Sequence, residues 1–337
     1  MSDDDFTWRD GERTIHFRAG VVGESLDILR ERGLGSYELL TTERAMGAAP
    51  LELAEDATCF HHVPPGPVNE VAARLVTDVG DRDLVALGGG RVIDVAKALA
   101  AVRGSRVAAL PTTLSGAEMT RIHRLPEGHE DEAEDGLVRP AVVLADPPLM
   151  VGLPEKRLRA SAMNALAHGA DSLYTPLANP VSELATLRGA KLIARSLDAP
   201  RPERDPAGLA LGSILCAYAL DSAGFGLHHV VCQSLVRELR IPHAETNATL
   251  LPHVLEMLRS RCGPQMTALA RALGTTNAGL AERVTELGGG RRRLRDLGAE
   301  REALERAVKA IIARPELQRT PDVPGAREIR ELLEAAW

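Results

Sequence analysis

The first half of the chain alternates short apolar runs with stretches in which apolar residues recur every three or four positions. Such alternation is typical of βαβ units, so it predicts an α/β domain whose parallel sheet is covered by helices on both faces. The predicted strands are Tyr37–Leu40, Ala57–Phe60, Leu84–Leu87, Val107–Leu110 and Ala141–Leu144. The predicted helices are Val21–Arg32, Val68–Val79 and Val92–Arg103. A separate alternating run, Thr14–Phe17, predicts an additional edge strand.

The second half has a different pattern. From Glu155 to Trp337 the apolar spacing is three or four, which predicts an all-helical domain. The predicted helices are Lys156–Leu173, Pro180–Leu197, Ala207–Ala223, His228–Glu238, Asn247–Met257, Pro264–Ala272, Leu280–Leu287, Arg301–Ala313 and Gly325–Ala336. We therefore expect two domains, residues 1–154 and residues 155–337. The length of 337 residues agrees, because single cores stop growing at about 250–300 residues.

Composition excludes several classes of protein. With 40 basic and 47 acidic side chains the formal net charge is −7, whereas nucleic-acid binders carry a basic surface. No uninterrupted apolar run approaches the ~18 residues of a membrane span. The four cysteines lack C-x-x-C spacing, which predicts a reduced, cytoplasmic protein without a disulfide framework or a thiolate zinc site. We expect a small-molecule substrate and neither a nucleic-acid nor a membrane partner.

Three consecutive glycines, Gly88, Gly89 and Gly90, follow the predicted strand Leu84–Leu87, and a helix is predicted from Val92. A strand, a glycine turn and a helix N-terminus form an anion site, because the backbone can approach a diphosphate and free N–H groups face it. The spacing is not the G-x-G-x-x-G fingerprint of dinucleotide-binding domains. A plain turn that needs positive φ angles explains the glycines equally well.

A second polar segment follows the predicted strand Val107–Leu110. Thr112 and Thr113 lie at the carboxyl end of that strand, where α/β sheets bind ligands, and their hydroxyls can bond a ribose or a carboxamide. The same residue type also suits a helix N-cap, and both roles are compatible.

Histidines and amides repeat at helical spacing in the second half. Asn164 and His168 are four residues apart, and His229 and Gln233 repeat this spacing, so each pair shares one face of a helix. A single histidine on an apolar face is usually a hydrogen-bonded core residue. Here, four of the ten histidines fall within positions 228–253, which points to a functional site.

Two of those histidines each follow a proline. His243 lies just ahead of a helix that we expect to begin near Glu245, and His253 lies ten residues further along the chain. Because histidine can gain or lose a proton near neutral pH, His243 and His253 are two further candidate proton donors.

Four segments resemble, in order, the signature blocks of the iron-containing alcohol dehydrogenase superfamily: GGGRVIDVAKALA, PTTLSGAEMT, SAMNALAHGADSLY and GLHHVVCQSLVRELRIPHAETNATLLPHV. Their wording is most similar to the maleylacetate reductase branch. The resemblance implies a dehydroquinate synthase-like fold, in which an α/β dinucleotide-binding domain precedes a helical domain and the active cleft lies between them. It also implies a homodimer, and we expect Thr14–Phe17 to pair across its subunits.

The resemblance further implies that NAD(P)H binds along the glycine turn, with the nicotinamide and its ribose near Thr112 and Thr113. Thr42 matches the position at which NAD-specific members have an acidic residue. We therefore expect NADPH to be accepted, with Arg44 beside its 2′-phosphate. The expected cofactor-binding residues are Gly88, Gly89, Gly90, Arg91, Asp94, Lys97, Thr112, Thr113, Ser115 and Thr42.

In the metal-dependent branch of the superfamily one aspartate and three histidines bind iron or zinc. The matching residues are Asn164, His168, His229 and His243. Asn164 lacks the anionic oxygen that a hard divalent ion prefers, although three imidazoles alone can hold zinc. The maleylacetate reductase branch tends to have asparagine here and works without metal. We therefore favour a metal-free site, and the three histidines remain the alternative metal ligands.

These features predict hydride transfer from NAD(P)H to a carbonyl, or to an alkene conjugated with one, in a small substrate for which a carboxylate is one option. The expected catalytic residues are His243 and His253 as proton donors, His168 and His229 lining the cleft, and Asn164 and Gln233 as neutral hydrogen-bonding groups. Gln233 replaces a histidine of the family, and glutamine cannot shuttle protons near neutral pH. Two alternatives stay open: a metal-dependent alcohol dehydrogenase, and a non-redox enzyme catalysing elimination or cyclisation.

Overall fold

The computed structural model describes residues 6–133 and 136–337. The chain divides into two compact units, residues 1–152 and residues 153–337. The first unit contains a sheet with helices, and the second is helical throughout its regular structure. The predicted fold class, a parallel α/β unit followed by a helical one, is confirmed.

In the described part of the first unit, seven strands form one sheet in the order β1-β2-β7-β6-β5-β3-β4. The strands are β1 (Phe6–Asp10), β2 (Arg13–Phe17), β3 (Tyr37–Thr41), β4 (Cys59–His62), β5 (Asp83–Gly88), β6 (Val107–Pro111) and β7 (Val142–Ala145). The helices are α1 (Ser25–Glu31), α2 (Glu43–Met46), α3 (Glu52–Glu55), α4 (Val68–Leu75), α5 (Gly90–Arg103) and α6 (Pro147–Val151). All neighbouring strands are parallel except β1 and β2.

Alternate side chains of the central strands pack on opposite faces of the sheet. In β5, Leu84 and Ala86 join the apolar core beneath α4 and α5, whereas Val85 and Leu87 join the core on the other face. All four are fully buried. A strand covered on both faces is apolar at every position, and this is why continuous apolar runs predicted the central strands.

The strand order reverses at β5. The chain runs outward from β3 to β4, returns to β5, and then continues in the other direction through β6 and β7. In open α/β sheets, ligands bind at the carboxyl ends of the strands beside such a reversal. These ends carry Thr42 after β3 and Gly88–Gly90 after β5. The topology therefore brings two parts of the expected cofactor site to one edge of the sheet.

The run Thr14–Phe17 is a strand, but it does not stand alone. It belongs to β2, where Ile15 is paired with Trp8 of β1 on one side and with Val143 of β7 on the other. The expectation that this run pairs across subunits is therefore wrong, because both of its edges are occupied within the chain. The sequence pattern did not predict β1, which is the outermost strand.

Nine α-helices form the second unit in the described residues, and each corresponds to a predicted helix. They are α7 (Glu155–Ser172), α8 (Pro180–Asp198), α9 (Pro206–Ala223), α10 (Leu227–Leu239), α11 (His243–Arg261), α12 (Gly263–Ala272), α13 (Leu280–Leu287), α14 (Leu304–Ile312) and α15 (Ala326–Ala336). The start of α11 differs from the prediction. The carbonyl of Pro242 accepts hydrogen bonds from the backbone N–H and the hydroxyl of Thr246, so the helix begins at His243 rather than near Glu245.

Among the described helices, α9 alone has the length and mean hydropathy of a membrane span. Of its residues, 61% are buried, and it packs against α7 and α8. Gly189 of α8 and Gly212 of α9 let the two backbones touch, since a Cβ on Gly189 would lie 2.8 Å from the carbonyl oxygen of Gly212. These surroundings are those of a core helix.

Candidate functional site

The glycine turn after β5 lies against the loop that follows β6. A Cβ on Gly89 would lie 2.9 Å from Cγ2 of Thr113, and a Cβ on Gly90 would lie 2.9 Å from Cβ of Ser115. The φ angle of Gly89 is −81°, and none of the three glycines has a positive φ. The plain-turn explanation is therefore wrong. Glycine is required at these positions because side chains already occupy the space of a Cβ: that of Val92 at Gly88, and those of the loop after β6 at Gly89 and Gly90.

The loop after β6 carries both expected threonines. The Thr112 N–H donates to the carbonyl of Gly88 at 2.9 Å, and the Thr112 hydroxyl accepts a hydrogen bond from Arg44 at 3.2 Å. No α-helix follows before α6 in the described residues, so Thr113 does not cap one. Thr42 instead is the helix cap, because its hydroxyl accepts from the Ala45 N–H at the start of α2. Thr112, Arg44 and Thr42 thus meet at the reversal of strand order.

Lys97 has no exposed surface, and its ammonium group is fully used within the protein. It donates to the carbonyls of Ala117, Thr120 and Ile122 at 2.9–3.0 Å and forms an ion pair with Asp94 at 2.8 Å. A direct contact between Lys97 and a cofactor is therefore excluded in this arrangement. Lys97 holds the loop after β6 in place. Arg91, in contrast, is exposed on the first turn of α5.

A buried carboxyl group, Glu118, lies in the segment that Lys97 holds. It is fully buried, and neither oxygen has a hydrogen-bond partner. Burial raises the pKa of Glu118 to about 7, against the opposing attraction of Lys97. The PTTLSGAEMT segment contains this residue, yet an acidic residue in a polar loop gives no sequence signal of burial.

Two histidines of the second unit stack on each other. His168 of α7 and His229 of α10 have ring centroids 4.9 Å apart and ring planes 23° apart. Both side chains are buried, whereas His243 is exposed on the first turn of α11. Burial, followed by the neighbouring His229 and His243, holds the pKa of His168 well below its ordinary value. We call His168, His229 and His243 the histidine group.

Asp171 orients His229, and sequence analysis did not assign it a role. Its carboxylate lies 2.8 Å from Nδ1 of His229 and accepts hydrogen bonds from the N–H groups of Gly226, His228 and His229 and from the Tyr174 hydroxyl. Burial opposes ionisation, but the hydrogen bond from His229 holds the pKa of Asp171 below its ordinary value. The Nδ1 atom of His229 therefore carries the proton, and its buried Nε2 atom has no partner.

His228 is a second residue that sequence analysis did not assign. Its ring is fully buried and lies edge-on to His229 at 5.2 Å. Its Nε2 atom lies 2.6 Å from Oδ1 of Asn247, and the Asn247 amide donates to the carbonyl of His243 at 2.9 Å. His228 thus connects the histidine group to the first turn of α11. Burial, together with His229, lowers the pKa of His228 to about 4.

Of the remaining expected catalytic residues, Asn164 and Gln233 lie one turn from the stacked histidines, whereas His253 lies far from His243. Asn164 is buried one turn before His168, and Gln233, one turn after His229, accepts a hydrogen bond from Arg314 at 3.3 Å. His253 is about 15 Å from His243 along the axis of α11, because each residue rises 1.5 Å. Its electrostatic neighbour is Arg291, and it lines a surface depression. The structure therefore does not bring His253, an expected proton donor, together with His243.

Comparison with known proteins identifies the family. The family described as "Iron-containing alcohol dehydrogenase" matches residues 13–147, and "Fe-containing alcohol dehydrogenase family, C-terminal" matches residues 159–337. The chain belongs to the iron-containing alcohol dehydrogenase superfamily.

Similar proteins place this superfamily member in the maleylacetate reductase branch. It is 34% identical over 324 residues to the maleylacetate reductase of Burkholderia cepacia, covering 93% of this chain and 86% of the relative. Maleylacetate reductase 1 of Rhodococcus opacus is 34% identical over 283 residues, covering 82% and 78%. The crystal structure of maleylacetate reductase from Rhizobium sp. strain MTP-10005 has a TM-score of 0.83 at 28% identity, covering 100% and 99%. The predicted branch is confirmed, and the protein is an oxidoreductase.

The superfamily's name implies a metal, and the residues at the matching positions do not fit one in this arrangement. The described residues contain one set of three metal-ligating side chains whose ligand atoms all lie within 4.8 Å of one another. It comprises Glu38, Cys59 and His61, in the first unit. The histidine group does not meet that distance. Asn164 also offers a neutral amide oxygen where a hard divalent ion prefers a carboxylate.

Buried neutral histidines make the stability of this superfamily member depend on pH. The pKa of His228 is about 4 in the folded chain and ordinary in the unfolded chain. Its neutral form therefore contributes fully to the free energy of unfolding above about pH 6.5, and this contribution is lost as the pH falls towards about 4. The loss is about 3 kcal/mol, and burial of His168 acts in the same direction. We predict that His228→Gln makes the free energy of unfolding decrease less steeply at acidic pH. Glutamine keeps a hydrogen-bond donor for Asn247 but cannot bind the proton.

Denaturant unfolding at several pH values measures the effect. The matched control is His62→Gln, which removes an exposed histidine of β4 and should leave the pH dependence of the wild type unchanged. Parallel stability curves for His228→Gln and the wild type would contradict the prediction.

Proposed function

We propose that the protein is a cytoplasmic, NAD(P)H-dependent reductase that transfers hydride to a carbonyl, or to an alkene conjugated with one, in a small carboxylated substrate such as maleylacetate. The observation that carries this proposal is the close approach of the glycine turn to the loop after β6, beside the reversal of strand order. Relatives of similar length are named maleylacetate reductases, which supports the choice of substrate.

The first unit supplies the groups that would hold the coenzyme, which itself supplies the hydride. The N–H groups at the start of α5, with Thr113 and Ser115 against the glycine turn, suit a diphosphate. Arg44, beside Thr112, and the exposed Arg91 add cations at this edge, which favours the extra phosphate of NADPH. Lys97 acts indirectly, by holding the loop that carries these hydroxyls.

The histidine group would supply polar contacts and a proton to the substrate. Hydride addition to a conjugated alkene leaves an enolate, which needs a hydrogen bond at its oxygen and a proton at the adjacent carbon. His243 is exposed, so we assign proton delivery to it. His168 and His229 are buried, and Asn164 provides an amide beside them. These three residues would orient the substrate.

The first test measures coenzyme use directly. We expect the protein to oxidise NADPH or NADH in the presence of maleylacetate, and we expect Gly89→Val to weaken coenzyme binding by more than about tenfold. The valine side chain would occupy the space between the turn and Thr113, where even a Cβ lies 2.9 Å from a methyl group. Calorimetric titration with each coenzyme and the loss of nicotinamide absorbance are the measurements.

Gly47→Val is the matched control, because a Cβ at Gly47 meets no atom closer than 3.6 Å. It should bind coenzyme like the wild type. Absence of coenzyme binding by the wild type would refute the reductase, whereas coenzyme binding without turnover of maleylacetate would refute only the substrate.

The second test concerns the metal. We predict that chelators leave the reductase activity unchanged and that Asn164→Asp raises zinc affinity, because it restores an anionic ligand beside His168. Zinc titration should use a Cys59→Ser background, which removes the thiol of the separate set at Glu38, Cys59 and His61. Asn179→Asp, at the half-buried N-cap of α8, is the control for added charge.

Tight binding of one metal ion by the histidine group of the wild type, with activity lost on chelation, would overturn the metal-free proposal. It would favour the alternative function, a metal-dependent alcohol dehydrogenase using His168, His229 and His243.

The third test concerns assembly. We propose that the protein is a homodimer, with the outer edge of β1 available to a second copy because no described strand pairs with that edge. Light scattering at micromolar concentration should give twice the 36.1 kDa of one chain. A mass equal to that of one chain would count against the dimer.

A further inference from the structure

A second group of metal-ligating side chains lies at the far edge of the sheet in the first unit, away from the glycine turn. It comprises Glu38 on β3 and Cys59 and His61 on β4, the outermost strand on this side. Glu38 and Cys59 are direct register partners, and Cys59 and His61 are two residues apart on one strand. Because side chains alternate between faces along a strand, all three share one face of the sheet.

The three side chains are already close together. Nε2 of His61 lies 2.6 Å from Oε2 of Glu38, and the backbone N–H of Gly80 donates to the other carboxylate oxygen at 3.0 Å. One ligand atom from each of the three residues lies within 4.8 Å of the others. Glu38 and His61 are buried, and Cys59 is exposed. A buried, oriented carboxylate–imidazole pair thus lies next to a thiol that solvent can reach.

We propose that Glu38, Cys59 and His61 bind one zinc ion, with solvent as its fourth ligand on the exposed side of Cys59. Thiolate and imidazole together select zinc over magnesium or calcium, which prefer oxygen ligands. Zinc lies about 2.3 Å from sulfur and about 2.0–2.2 Å from nitrogen and oxygen. The Glu38–His61 pair must therefore open slightly from 2.6 Å to admit the ion.

Binding exchanges protons for the metal. The Cys59 thiol gives up its proton to form the Zn–S bond, and the ring nitrogen of His61 that binds the ion must also be free of a proton. No oxidant or reductant is needed. The ion would join the outermost strand β4 to β3, so its effect is expected on the stability of this sheet edge and not on hydride transfer.

The four cysteines have no C-x-x-C spacing, which predicted that the chain has no thiolate zinc site. The proposed site revises that expectation. Its sequence trace is C-x-H on a single strand, and the third ligand comes from the neighbouring strand, 21 residues earlier along the chain. Only the strand register brings Glu38 opposite Cys59.

The experiment uses the full chain, stripped of metal by a chelator and titrated with Co²⁺ and then Zn²⁺. Thiolate ligation gives Co²⁺ an intense near-ultraviolet charge-transfer band, which imidazole and carboxylate ligands do not produce. We expect this band to saturate at one equivalent and to be displaced by Zn²⁺. We also expect Zn²⁺ to slow the modification of Cys59 by a thiol reagent, since the other three cysteines are buried.

Three variants decide the outcome. Cys59→Ser should abolish the band, and its exposed position preserves the fold. His61→Gln keeps a hydrogen-bonding group for Glu38 but should weaken Zn²⁺ binding by more than about 100-fold, since loss of outer contacts alone costs 10–100-fold. His62→Gln is the matched control, because His62 is adjacent and exposed but lies on the opposite face.

The proposal is overturned if the wild type shows no charge-transfer band, or if the band survives in Cys59→Ser. It is also overturned if His62→Gln weakens Zn²⁺ binding as much as His61→Gln, because that result indicates surface adsorption. None of these outcomes bears on the coenzyme site, which is tested separately by Gly89→Val.

Discussion

The buried carboxylate of Asp171 is the contact on which the arrangement of the buried histidines depends. It has no exposed surface, and an uncompensated charge there would cost several kcal/mol. The cost is offset because three N–H groups at the start of α10, those of Gly226, His228 and His229, donate to it where the helix dipole also favours an anion. The same carboxylate holds the ring N–H of His229. One charge therefore joins α7 to α10 and selects one tautomer of His229.

Much of the fold could be predicted because its signals are local. A strand such as β5, buried on both faces, is apolar at every position, and α7–α15 repeat their apolar residues at helical spacing. The pairing of β2 could not be predicted in this way. Its partner β7 follows more than 120 residues later, and no local pattern records which distant strand occupies an edge. The expected start of α11 near Glu245 was two residues late, because the carbonyl of Pro242, at the N-cap, accepts the hydrogen bond from the N–H of Thr246.

The candidate site was predictable where function depends on spacing along one element. Asn164 and His168, four residues apart on α7, illustrate this. Prediction failed where the role depends on burial. Asp171 and Lys97 are charged residues on helices, a pattern typical of solvated faces, yet both are fully buried and hold other segments in place. His253 shares a helix with His243, but it lies nearly three turns further on, so a common helix did not bring the two expected proton donors together.

The proposed reduction of a carboxylated substrate without a metal accounts for the amide at position 164, which lies one turn before the buried His168. The ionised Asp171 is surrounded by donors, and His168 is kept neutral by burial. An aspartate at position 164 would add a second, uncompensated anion in a region of low dielectric, and it would repel a substrate carboxylate strongly there. A bound divalent cation would cancel that repulsion. In the proposed metal-free site, Asn164 would keep the hydrogen-bonding oxygen without the charge, so the amide would account both for the missing metal ligand and for acceptance of an anionic substrate.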